Sequence, residues 1–190
     1  MLPYLEMANV PTAPRVSFDA YLAAEGTSDT KHEWLDGVVY AMSRGTPEHG
    51  RLSAAIIGEL RAALRGECSV YSSDTMLYIA ETKLTTYADA VVVCGALATY
   101  RVAKLGEAVT NPTILVEVLS ESTEEYDRGE KFAHYMRIAT LEQYVLVAQD
   151  RRRIESLRRP DRGHWIHEVA QGGERILLHG RPVDVDAVYA

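Results

Sequence analysis

Apolar and polar positions along the chain fall into two repeating patterns, one of period two and one near 3.6. Residues 1–16 carry Pro3, Pro11 and Pro14 and show neither pattern, so a flexible arm is expected there, followed by one folded domain over 17–190. Ser17 is placed to cap a short helix from Phe18 to Glu25, with Asp19 in its first turn. Asp36-Gly37, set between Trp34-Leu35 and Val38-Val39-Tyr40, predicts a tight hairpin. Thr46-Pro47 opens a second helix that reaches about Arg65, with Leu52, Ala55, Ile56, Leu60 and Leu64 on one face and Gly66 beyond its end. Ser69 to Ala80 and Thr86 to Cys94 read as two strands, and Gly95 to Thr110 as a connection with room for a short helix. Thr113 to Leu119 is a third strand, and Glu121 to Tyr126 a polar loop. Asp127 caps a helix from Arg128 to about Thr140, and Gln143 to Gln149 is a further strand. Short antiparallel strands near Ile154–Arg158, Trp165–Val169 and Ile176–Leu178 close the chain. No repeat or linker interrupts this order, which predicts a single α/β (α+β) domain.

Composition narrows the class. The 190 residues are 47% hydrophobic and 25% charged, which excludes a disordered or fibrous chain. The longest apolar run is about six residues, against the roughly 20 that a membrane helix needs. No basic stretch followed by an apolar run marks a secretory signal. Two cysteines, Cys68 and Cys94, are too few for a disulfide framework or a four-thiolate zinc site, so a cytoplasmic setting is expected. The net charge of -7 argues against general affinity for nucleic acid. One segment runs against that average. Arg151, Arg152, Arg153, Arg158, Arg159 and Arg162 face only Glu155 and Asp161, a local +4 that leaves -11 for the rest. Such a patch can serve a phosphate backbone, although an exposed hairpin with solvated arginine ends accounts for it equally.

The more informative feature is carboxylates inside apolar strands. Glu117 interrupts Thr113-Ile114-Leu115-Val116-Glu117-Val118-Leu119, and Asp89 stands near the start of Tyr87-Ala88-Asp89-Ala90-Val91-Val92-Val93-Cys94. A lone ionised carboxylate in an apolar site is costly, so each must be paired, protonated or metal-bound. If the two strands are neighbours, the carboxylates converge and repel unless a cation lies between them, and a magnesium-class ion suits that donor set. Either acid alone is equally explained by pairing with an arginine or by a strand end. Asp127, Lys131, His134 and Tyr135 then share one face of the following helix, beside an apolar stripe of Phe132, Met136 and Ala139. Lys131 taken alone reads as a salt bridge to Asp127.

These residues resemble a known group. Glu33 with Asp36-Gly37, His49-Gly50, Tyr87 through Cys94, Asn111-Pro112 through Glu117-Val118-Leu119-Ser120, Ser122-Thr123, Asp127-Arg128-Gly129-Glu130-Lys131-Phe132 and Tyr135 follow one another in the order of the bacterial "putative restriction endonuclease" family of the PD-(D/E)xK nuclease superfamily. The likeness runs from about Ser17 to Arg159, and its most specific part is Asn111 to Tyr135. It implies a restriction-endonuclease-like mixed central sheet flanked by helices, with extra antiparallel strands at the N- and C-terminal ends. It implies that Asp89 and Glu117 are metal ligands for Mg²⁺ or Mn²⁺, with the backbone carbonyl of Val118 as a third donor. The superfamily lysine normally stands two places after the acid, where this chain has Leu119. The resemblance implies that Lys131, on the next helix, takes over. A further acid would complete the site from an early element; Glu33 is favoured over Glu48, and His49 comes second. Ala88 and Glu121 stand where the family commonly has proline, and neither removes a candidate group.

The activity implied is metal-dependent hydrolysis of DNA phosphodiester bonds. The metal would activate water and polarise the phosphate, and Lys131 would stabilise the added charge. Tyr135, with Arg151, Arg152 and Arg153, would touch the nucleic acid. DNA is the expected partner, no membrane is involved, and a homodimer suits cutting of both strands. Two rivals come from other classes: a catalytically silent binding protein that keeps the nuclease fold, and a glycosidase using paired acids without a lysine.

Overall fold

The computed structural model describes residues 15–43, 45–102, 106–161 and 163–190. The expected arm therefore lies outside the described residues up to 14, as does Arg162. Where description begins, the chain is already tied down. The Val16 N–H donates to the Gly37 carbonyl at 2.8 Å, and the Trp34 indole donates to the Val16 carbonyl at 2.9 Å.

Local signals act as expected in the first third. Helix α1 (Phe18–Glu25) is capped by the Ser17 hydroxyl, which accepts from the Ala20 N–H at 3.2 Å. Strands β1 (His32–Leu35) and β2 (Val38–Ala41) form the hairpin. Its two turn residues, Asp36 and Gly37, take φ of 41° and 98°. This left-handed turn matches the twist of the strands, and glycine enters it without steric cost. Helix α2 (Pro47–Ala63) is capped by Thr46, whose hydroxyl accepts from the His49 N–H at 3.1 Å. Leu52, Ile56, Leu60 and Leu64, spaced by four, are fully buried along one stripe.

The next segment corrects the sequence reading. The run from Ser69 to Ala80 divides into β3 (Cys68–Ser72) and β4 (Met76–Ile79), which join different sheets. The run from Thr86 to Cys94 divides likewise into β5 (Leu84–Tyr87) and β6 (Ala90–Cys94). The region read as a connection with a possible short helix instead forms a hairpin, β7 (Thr99–Val102) and β8 (Gly106–Val109). After β9 (Ile114–Val118), the helix starts earlier and ends sooner than its caps predict. A turn of α3 (Glu124–Tyr126) leads through a π-helical turn (Asp127–Lys131) into α4 (Phe132–Tyr135). Strands β10 (Gln143–Val147), β11 (Arg153–Asp161), β12 (His164–Gln171), β13 (Arg175–Leu178) and β14 (Arg181–Asp184) follow, with a last turn α5 (Val185–Val188).

Two six-stranded sheets result, in the orders β2-β1-β5-β4-β8-β7 and β12-β11-β10-β9-β6-β3, with β13-β14 as a separate ribbon. In the second sheet β9 and β10 run parallel, joined by the helical segment, while their neighbours are antiparallel. This is the mixed central sheet expected, with antiparallel strands added at both ends of the chain. Side chains alternate across it. Ile114, Val116, Val118, Val145 and Val147 pack against the α2 stripe and the C-terminal residues Ile176, Leu178 and Val185. Leu115, Leu119, Tyr144 and Leu146 face the other way, against Leu77, Leu84, Tyr135 and Leu141. Glu117 belongs by the same alternation to this second row, and so points between the two sheets toward the helical segment.

Cys68 and Cys94 are partners across β3 and β6 and are joined by a disulfide. The sequence alone predicts no such bond, two cysteines being too few for a disulfide framework. The pairing depends on a strand register that a separation of 26 residues does not reveal.

Candidate active site

Asp89 sits where the chain leaves one sheet and enters the other, between β5 and β6. The ladder between β6 and β9 ends at Ala90 opposite Val116. One step further stand Asp89 and Glu117. The register of a single antiparallel pair thus brings together two acids that lie far apart in sequence. The Val118 N–H donates to Asp89 Oδ2 at 2.7 Å, and His49 Nε2, in the first turn of α2, lies 3.1 Å from the same oxygen. Hydrogen bonding to Asp89 raises the His49 pKa above its ordinary value, against the opposing effect of burial.

Lys131 enters from the π-helical turn. Its Nζ is 2.9 Å from Glu117 Oε1, 3.6 Å from Asp127 Oδ1 and 3.7 Å from Glu33 Oε1, and it donates to the Tyr87 carbonyl at 3.2 Å. The ammonium is only 4% exposed at the residue level. Burial alone would lower its pKa, but Glu117, Asp127 and Glu33 outweigh that and hold it charged. The Tyr135 hydroxyl donates to Glu117 Oε1 at 2.8 Å. Burial pushes Glu117 up to about 8 despite Lys131, and the charges of Asp127 and Asp89 push the same way.

Glu33 arrives from the other sheet. Tyr126 donates to its Oε2 at 2.9 Å, and the Thr86 hydroxyl donates to its Oε1. Both oxygens being engaged, Glu33 stands as a charge partner of Lys131. Glu48 points elsewhere and pairs with Arg51 at 2.8 Å on the surface. Glu33, His49, Asp89, Glu117, Asp127 and Lys131 all line one cleft of about 640 Å³.

The donor set fits a divalent cation. Five carboxylates line the cleft with two lysines and one histidine, which leaves excess negative charge there. The contacts above occupy Oδ2 of Asp89 and Oε1 of Glu117. The other oxygen of each is left for an ion, in the manner of a site with one or two carboxylates plus water.

Of the nucleic-acid contacts expected from sequence, Tyr135 is corrected and the three arginines lie apart from the cleft. Tyr135 is fully buried and braces Glu117, so it offers no surface to a phosphate. The arginine run carries less free charge than it suggests. Arg151 pairs with Asp150 at 3.6 Å, Arg152 with Asp186 at 2.8 Å, and Arg153 with buried Glu155 at 3.2 Å. The run follows β10 at the same end of the sheet as Glu117, but none of its three residues lines the cleft. Tyr126, expected as the end of a polar loop, is the site residue the sequence did not single out. The pairing of Lys131 with Asp127 expected from their spacing is present at 3.6 Å, and the burial of Asp127 to 4% exposure is the part that spacing does not indicate. π-helical turns recur at functional sites, but they leave no mark in sequence.

The model of Uma2, described as "Putative restriction endonuclease", matches residues 18–185. This chain belongs to that family. Family membership is matched by a protein of Synechocystis sp. (strain PCC 6803) described as uncharacterized, 35% identical over 191 residues, covering 96% of this chain and 97% of that one. A second uncharacterized protein of the same organism is 27% identical over 161 residues, covering 84% and 90%. Among solved structures, one titled a putative nuclease from Anabaena variabilis superposes with a TM-score of 0.70 at 11% identity, covering 92% of this chain and 97% of that chain. At that identity the likeness establishes the fold. No described helix is long and apolar enough to cross a membrane.

Proposed function

We propose that this family member is a metal-dependent DNA endonuclease. One observation carries the reading: Asp89 and Glu117 meet at the end of one strand pair, and Lys131 reaches the same point from a different element, 2.9 Å from Glu117. Asp89, Glu117 and the Val118 carbonyl would hold Mg²⁺ or Mn²⁺, which supplies Lewis-acid activation of the phosphate and a water of lowered pKa.

This chain's own residues prepare the reaction. Val118 N–H and His49 fix one oxygen of Asp89. Tyr135 and Lys131 fix Glu117 in the same way. Asp127 and Glu33 keep Lys131 charged, so that its ammonium can stabilise negative charge that grows on the phosphate during hydrolysis. Tyr126 and Thr86 hold Glu33 in turn. A site braced this heavily is rigid before substrate arrives, which lowers the cost of reaching the reactive geometry.

In this reading the partner is DNA, and the enzyme works in the cytoplasm as a homodimer when it cuts both strands. Supercoiled plasmid incubated with purified protein and Mg²⁺, Mn²⁺ or EDTA tests it. Nicked or linear product with either ion and none with EDTA supports the proposal. Cleavage in EDTA, or none under any condition on duplex or single-stranded DNA, overturns it and leaves a binding protein of nuclease fold.

A further inference from the structure

The end of the central sheet opposite the carboxylates carries a second cluster of chemistry-bearing side chains. Cys68 opens β3 and Cys94 ends β6, while Asp89 precedes the start of β6. Cys94 therefore stands five positions beyond Asp89 along the strand, about 16 Å at the usual rise per residue. His179 reaches the cysteines from the turn between β13 and β14. A ring nitrogen of His179 and both sulfurs lie within 4.8 Å of one another.

The histidine is held in a way that packing alone does not require. His179 and Gly180 have φ of 48° and 74°, the two left-handed positions of the turn. Asn, Asp or Gly suit the first position, and a histidine there is uncommon. Its N–H donates to the Gln143 side chain at 2.9 Å. Its Nδ1 lies 3.1 Å from Glu142 Oε2, so Nε2 is the nitrogen left for another partner. A carboxylate on one imidazole nitrogen fixes the tautomer and raises the basicity of the other, the arrangement that supports histidine as a metal ligand. His179 is partly exposed, with 30% of its side chain accessible, which gives an ion a route in.

We propose that Cys68, Cys94 and His179 form a second metal site, for a Zn²⁺-class ion, that is available only when the disulfide is reduced. Two thiolates and an imidazole suit that ion, with a water in the fourth position. The redox step is a thiol exchange. An external dithiol gives two electrons and two protons to the Cys68–Cys94 bond and leaves as its own disulfide. The ion then displaces the two thiol protons and bonds to both sulfurs. β3 and β6 are thus clamped covalently in the oxidised state and through the ion in the reduced one. The proposal is independent of the reading of the cleft.

Cobalt titration of the full chain tests it, with and without prior reduction by a phosphine, followed through thiolate-to-cobalt charge-transfer absorption. Cobalt held by the carboxylate cleft has no sulfur ligand and is silent in that band. The expected result is about one Co²⁺ per reduced chain with a tetrahedral thiolate spectrum, displaced by Zn²⁺, and no such band in oxidised protein. Glu142→Gln should weaken binding about 10-fold or more through the imidazole it orients. His179→Ala, a change on an exposed turn, should shift the spectrum and weaken binding further. Absence of the band in reduced wild type overturns the proposal. So does an unchanged spectrum and affinity in His179→Ala.

Discussion

Lys131 Nζ lies 2.9 Å from Glu117 Oε1, and the two residues share no secondary-structure element. Glu117 is fixed by a buried strand and Lys131 by a π-helical turn. In the superfamily pattern the lysine rides on the strand of the acid, two places on, where its side chain shares the same face. Here that place is Leu119, which belongs to the core, and the ammonium arrives from above the sheet instead. The lysine and the acid thus meet by a different route of the chain from the one the resemblance describes.

Removal of the lysine should abolish most of the chemistry while sparing the fold. In Lys131→Ala, Glu117 loses its cation, but burial already favours its protonated form, so the carboxyl takes up a proton instead of remaining a bare buried charge. Cleavage should fall about 100- to 1,000-fold, as when a preorganised charge-stabilising donor is lost. Initial rates of plasmid nicking, with circular dichroism as a check on folding, measure this.

In the proposed function His49, 3.1 Å from Asp89, would act through that carboxylate as a positioning residue. His49→Asn should weaken Mn²⁺ binding about 10- to 100-fold, the usual effect of losing a group that orients a ligand. Saturating Mn²⁺ should restore most of the rate. Metal titration of the cleavage rate separates this outcome from a loss of turnover that no metal concentration repairs.

Glu155 gives the protein a defined acid sensitivity. Burial would raise its pKa, but hydrogen bonds from Arg128 and His167 and the charge of Arg153 bring it down to about 2. A depressed carboxylate adds stability that is fully present above its unfolded value near 4.5 and is lost as pH falls toward 2. Thermal unfolding between pH 6 and 2.5 should show a steeper loss for wild type than for Glu155→Gln, whose own stability at pH 6 should be lower.

Tyr135→Phe should leave DNA affinity in EDTA within about twofold of wild type, because the side chain is buried. It removes one hydrogen bond to Glu117 and should cost about 1–3 kcal/mol of stability. Fluorescence anisotropy on a labelled duplex, beside a denaturant titration, checks both. A tenfold loss of DNA affinity at unchanged stability would return Tyr135 to the surface role its sequence position suggested.

What was legible in the sequence follows from the range of each signal. Ser17, Asp36-Gly37 and Thr46-Pro47 act within one turn of the chain, and each forms the cap or turn expected. Glu117 stood out because a charge inside an apolar strand contradicts its surroundings. The division of two long runs between two sheets was not legible, because the apolar run continues on both sides of Asp89 while the backbone changes partner. The burial of Asp127 was not legible for a related reason. A helix cap and a buried acid look alike over four residues, and only the packing of Tyr144 and Lys131 around it decides. The arginines of the C-terminal hairpin looked like free charge because their partners, Glu155 and Asp186, come from register and from the chain end.

The division of labour between Glu117 and Lys131 is the central claim. Mn²⁺ binding by calorimetry and plasmid cleavage, run together on wild type, Glu117→Ala and Lys131→Ala, test it most directly. Wild type should bind and cut, Lys131→Ala should bind but lose about 100- to 1,000-fold in cleavage, and Glu117→Ala should do neither. Cleavage by Glu117→Ala at the wild-type rate would contradict it.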